Sequence, residues 1–120
     1  MQILDSFAEP PTVNGAASLY REKAASLNMS FPPLTWQSYD ILFRAPRFDE
    51  AGEKTENARF TVFHNGIKVH DALELPHGTG AGKQRGEGGP GPILFQNHSD
   101  PVRFRNLWIV PGEFGDLARP

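Results

Sequence analysis

The sequence predicts an all-β, antiparallel domain, and three observations carry that prediction. Twelve glycines and eleven prolines in 120 residues make a turn-rich chain, and nine phenylalanines supply bulky residues suited to sheets. Several runs alternate apolar and polar residues, the signature of strands with one buried face. Asn65-Gly66 stands between two such runs, where a two-residue type I′ hairpin turn requires positive φ at both positions.

Taken in order, residues 1–7 read as a short strand, ended by Glu9-Pro10-Pro11. Residues 16–29 are the one helix candidate, with Ala16, Ala17, Leu19, Ala24, Ala25 and Leu27 as good helix formers. Their apolar period is poor, so a loop with a single helical turn fits equally. Residues 36–48 predict a strong strand, in which Pro46 weakens the end or marks a sheet edge. Residues 49–57 read as a charged surface loop.

The Asn65-Gly66 hairpin joins residues 58–64 and 67–75. Its turn predicts His64 opposite Ile67 and Val62 opposite Val69, with Thr61 and His70 paired on the other face. His64 is then a turn-flanking residue and His70 an exposed one. Residues 76–91 are Gly-rich and form a long loop. A second hairpin is expected from residues 93–98 and 102–110 around Ser99-Asp100-Pro101. Trp36 and Trp108 fit the core by pattern. Residues 1–110 make one domain and 111–120 a tail.

Bulk properties narrow the function. A net charge of −2 gives no footprint for nucleic acid or an anionic membrane. The absence of cysteine excludes disulfides, zinc–thiolate sites and a thiol nucleophile. No apolar run reaches the length of a membrane span, and the first residues lack the basic and apolar regions of a signal peptide. Gly80-Ala81-Gly82-Lys83 departs from a phosphate-binding loop, because Gln84 replaces the required Ser/Thr and no helix is predicted to follow.

The candidate chemistry gathers on the closing hairpin. Gln96 and His98 share a strand face just before Asp100, a set able to move a proton or bind a divalent metal; alternatively His98 caps the turn. Arg103 and Arg105 suit sugar hydroxyls or a carboxylate, or structural pairs with Asp5 or Asp40. Tyr39 belongs either to the core or to a cleft wall. Aromatics beside Asn, Gln, Arg and His are the ingredients of carbohydrate sites, where sugar rings stack on aromatic faces.

These segments resemble a known family. Residues 1–6 (MQILDS), 32–41 (PPLTWQSYDI), 43–49 (FRAPRFD), 60–66 (FTVFHNG) and 92–109 (PILFQNHSDPVRFRNLWI) are similar, in order, to motifs of the 3-keto-disaccharide hydrolase domain family. The resemblance implies a concanavalin A-like β-sandwich (jelly roll) with a sugar cleft, and elimination chemistry on 3-keto glycosides. By motif position it implies His98 as a base or metal ligand, Gln96 and Arg105 as orienting groups, and Gln2 and Asp5 as further cleft residues, which Tyr39 and Arg103 join as substrate-binding candidates from the reading of the residues themselves. A divalent metal is a possible cofactor. An intact family member is expected in the periplasm or outside the cell.

The resemblance begins near the middle of the family's domain, and Asn97 stands where the family usually has Asp. The sandwich is therefore expected to be partial and completed by homo-oligomerisation. The alternative function is a non-catalytic carbohydrate-binding or self-assembling β-sandwich module.

Overall fold

The computed structural model describes residues 1–80, 86–89, 91–95 and 99–112. Among these the chain is all-β and antiparallel, with five strands and no helix. Strand β1 spans Tyr39–Arg44, β2 Arg47–Phe48, β3 Lys54–Glu56, β4 Ala58–His64 and β5 Ile67–Leu75. A three-stranded sheet has the order β1-β4-β5, and β2 pairs with β3 in a small second sheet.

The expected strand over 36–48 is interrupted at Ala45-Pro46, as a residue without a backbone N–H dictates. The charged stretch 49–57 is more than a loop, because β3 lies within it and pairs with β2. Arg44 forms an ion pair with Glu56, bridging the two sheets, and also donates to the Asn57 carbonyl.

The Asn65-Gly66 turn forms as the sequence predicts, with φ of 50° and 81° and His64 opposite Ile67. Beyond Lys68 the predicted register fails. Val62 pairs with His70 instead of Val69, and Phe60 pairs with Leu73. Two register shifts insert extra residues into β5, and an extra residue reverses the face of everything after it. Val69 and His70 are consequently both buried although adjacent.

His64 and His70 are thus core residues, where the sequence pattern placed one beside a turn and the other in solvent. The core contains Ala17, Ala25, Val62 and Val69, with Met1, Met29, Tyr39 and Phe60 packed against it. Residues 1–29 cover this sheet face as irregular coil. The strand expected over residues 1–7 is absent, and of the two readings open for residues 16–29 the full helix does not form, because Ala8, Ala17 and Arg21 adopt positive φ, which breaks either regular form. Gln2 N–H donates to the Ser18 carbonyl, and Ala17 N–H donates to the Gln2 carbonyl. Ser26 N–H donates to the Val69 carbonyl and ties the coil to β5.

The closing hairpin is not a strand pair among the described residues, and Ser99 and Asn106 have positive φ. The two arms still meet where Phe95 and Phe104 pack with centroids 4.8 Å apart. Trp36 and Trp108, expected in the core, are 45% and 64% exposed. No strand forms at either residue, so the alternation that marked them as inward-facing has no sheet to act on.

Candidate functional site

Seven residues were predicted to build the site. Gln96 and His98 lie outside the described residues. Gln2 is half-buried and held through its backbone to Ala17 and Ser18. Asp5 is exposed, and its carboxylate accepts a hydrogen bond from Phe7 N–H. Arg103 and Arg105 are exposed. The Arg105 guanidinium sits over the Trp36 ring, 3.9 Å from its centroid, a cation–π contact made in place of the expected pair with an aspartate.

Tyr39 belongs to the core side of the two alternatives. Its ring stacks on His64 with centroids 4.5 Å apart and planes 7° from parallel. Burial pushes the Tyr39 phenol up to about 12, against a smaller opposing effect of the Ala17 backbone. Burial pushes the His64 imidazole down. Both His64 ring nitrogens are buried without a hydrogen-bond partner among the described residues.

A feature the sequence did not suggest lies between the covering coil and β5. A concavity of about 540 Å³ is lined by Glu22, Lys23, Ser26, His70 and Asp71, with apolar walls that include Val69. His70 Nε2 lies 2.8 Å from the Ala17 carbonyl. A carbonyl only accepts, so Nε2 carries the proton and Nδ1 is left with the lone pair. Burial lowers the His70 pKa, with the Ala17 bond opposing and Lys23 and the Met1 amino group adding to the fall. The bulge that turns His70 inward leaves no periodic mark in sequence.

A second concavity, of about 230 Å³, is mostly apolar and is bordered by Phe43, Phe60, Leu75, His77 and Glu87. Gln2, Asp5, Tyr39, Arg103 and Arg105 line neither concavity. Among the described residues no three His, Asp or Glu side chains converge as a metal site. These residues alone therefore do not fit the divalent metal that the resemblance allows.

The model of the 3-keto-alpha-glucoside-1,2-lyase-like domain matches residues 1–110. The chain belongs to that family. A crystal structure of a candidate glycosyl hydrolase from Parabacteroides distasonis is similar to it, with a TM-score of 0.60 and 30% identity. The match covers 67% of this chain and 34% of that one, so the chain corresponds to about a third of its neighbour. No curated protein matches the chain.

Proposed function

We propose that this chain is part of a sugar-cleaving domain that acts on 3-keto glycosides, built as a concanavalin A-like sandwich whose cleft includes the closing segment. The observation that carries this reading is the family match across residues 1–110, which spans the motifs at 32–41, 43–49, 60–66 and 92–109.

The chemistry follows from the substrate. A ketone at C3 acidifies the C2 hydrogen. A base removes that proton, and the C–H electron pair becomes an enolate. The enolate expels the C1 oxygen substituent, which leaves with a proton, and water adds later to the unsaturated ketone. Such a step needs a base beside C2 and donors beside the developing oxyanion. His98 is the proposed base. Gln96 and Arg105 are proposed to orient the sugar, and the Trp36 ring beneath the guanidinium fixes the plane from which Arg105 presents its N–H groups. Gln2, Asp5, Tyr39 and Arg103 are proposed as supporting residues of the same domain.

Incubating the purified chain with a 3-keto-glucoside and measuring release of the aglycone tests this reading. Turnover lost in His98→Ala supports it. Absence of turnover under all conditions overturns it for the chain by itself.

A second reading is a self-assembling or sugar-binding module. The observation that favours it is apolar exposure at the sheet edge, where Ile41 is 44% and Phe43 54% exposed. Sugar binding without turnover, together with self-association in solution, distinguishes this reading from the first.

A further inference from the structure

The chain holds two Asn-Gly pairs, Asn14-Gly15 and Asn65-Gly66. Asparagine is thermolabile, and most so before glycine, which has no side chain to hinder its own nitrogen. The glycine nitrogen bonds to the asparagine side-chain carbon and closes a cyclic imide. That nitrogen gives its proton to solvent, and the side-chain nitrogen leaves as ammonia. Water then opens the ring at either carbonyl and leaves aspartate or isoaspartate. Water is the sole co-reactant, and nothing is oxidised or reduced.

The two pairs are held differently. Asn65 Nδ2 donates to Gln37 Oε1 at 2.6 Å and to the Met29 carbonyl at 2.7 Å, and Ser38 N–H donates to Asn65 Oδ1 at 2.8 Å. Both polar atoms of the side chain are thus tied to residues 29–38. Ring closure swings the amide onto the Gly66 nitrogen and expels Nδ2, so it gives up these bonds. Each bond lost on the way to the barrier slows the step by about fivefold. Asn14 is exposed, and its side chain makes no hydrogen bond among the described residues. The attacking Gly15 nitrogen there is held by one bond, to the Thr12 carbonyl at 3.1 Å.

Conversion at Asn65 has a structural consequence. An aspartate has two oxygens that only accept, so donation to Gln37 and Met29 ends and a negative charge faces two acceptors. Isoaspartate adds a carbon to the main chain inside a turn whose type depends on its length. By either route the loop before β1 loses its clip to the hairpin. That loop carries Trp36, the ring beneath the Arg105 guanidinium.

We propose that Asn65-Gly66 is a latent deamidation site, kept intact by Met29, Gln37 and Ser38, whose conversion releases the loop that bears Trp36.

The unmodified chain tests the protection. It is incubated warm at mildly alkaline pH, in buffer and in urea, and both pairs are followed by peptide mass spectrometry. In buffer Asn65 is expected to convert more slowly than Asn14 by about tenfold or more, and in urea the two rates are expected to converge. Conversion of Asn65 as fast in buffer as in urea overturns the proposal, whatever any variant does. Gln37→Ala removes one of the three bonds and should speed Asn65 about fivefold in the folded chain, with Asn14 unchanged. An unchanged Asn65 rate in that variant removes Gln37 from the guard. Asn65→Asp reads the release by itself. Phe31 N–H donates to Gln37 Oε1, so its hydrogen exchange should quicken in this variant while the β1–β4 amides keep their rates. Unaltered exchange at Phe31 overturns release of the loop.

Discussion

Asn65 Nδ2 lies 2.6 Å from Gln37 Oε1 and 2.7 Å from the Met29 carbonyl, while Asn65 Oδ1 accepts from Ser38 N–H at 2.8 Å. The hairpin turn is thereby clipped to the loop that precedes β1. Gln37 extends the clip, since its Oε1 accepts from Phe31 N–H and its Nε2 donates to the Phe31 and Thr35 carbonyls. Asn65 has two separable tasks, holding positive φ and bonding the loop.

Substitution separates those tasks. Asn65→Gly keeps the turn conformation and removes the three side-chain bonds, at about 1 kcal/mol each when partly exposed. A loss of about 2–3 kcal/mol is expected. Asn65→Ala adds the cost of a left-handed alanine, about 1 kcal/mol more. Chemical denaturation of both variants checks the order, and equal losses would show that the turn conformation contributes nothing.

The pH dependence follows from the buried rings. His64 and His70 have pKa values lowered in the fold, so between the folded and unfolded values the unfolded chain binds more protons. Stability is full above the unfolded value of 6.5 and falls as pH drops below it, by at most about 1.4 kcal/mol per pH unit for each histidine. Tyr39 acts at the other end. Its pKa is raised from 10.0 to about 12, so its contribution is full below 10 and is lost as pH climbs toward 12. His64→Phe keeps a ring against Tyr39 and removes the two unpartnered nitrogens. It should flatten the acid limb, with a larger gain over the native chain at pH 5 than at pH 8 in urea titrations.

The places where sequence reasoning worked and failed share one physical logic. Asn65-Gly66 was legible because the turn type is dictated by the two residues that make it. Pro46 was legible because a missing N–H acts locally. The partners of Val62 and His70 were not, since a bulge is set by what packs against the strand, and that is the coil of residues 1–29. That coil misled for the same reason. Its alanines favour a helix, yet Ala17 takes positive φ to bring its carbonyl to His70. Of the predicted site, the stacking partner of Arg105 is hidden in the sequence, because the alternation around Trp36 points that ring to the core, whereas no strand forms there.

Ala72 offers a test of local strain. Its φ of 44° is a left-handed conformation that costs an L-residue about 1–2 kcal/mol. Glycine removes that cost but loses about 0.5–1 kcal/mol of chain entropy, leaving a net gain of about 0.5 kcal/mol for Ala72→Gly. The position is fixed by Ala72 N–H donating to Thr61 Oγ1 at 2.9 Å. Thr61→Val should cost about 1 kcal/mol, and thermal melts of both variants should move in opposite directions.

The contact between Arg105 and Trp36 separates a structural arginine from one that orients substrate. An exposed cation–π contact stabilises by about 0.5–1 kcal/mol, so Trp36→Leu should change folding stability by no more than that. If Arg105 holds a sugar, freeing it from the ring lets the guanidinium sample other rotamers, and ordering it must then be achieved by the substrate. KM for a 3-keto-glucoside should rise about threefold, with kcat nearly unchanged, the signature of an interaction equal in ground and transition states. Arg105→Lys keeps the charge but loses the planar fork that can grip two oxygens at once, and should raise KM further, about tenfold. Arg105→Gln keeps a planar donor without charge and should fall between them. Should Arg105 be only structural, all three variants would alter the melting temperature slightly and leave both kinetic constants alone, so initial rates measured over a range of substrate concentrations decide the role.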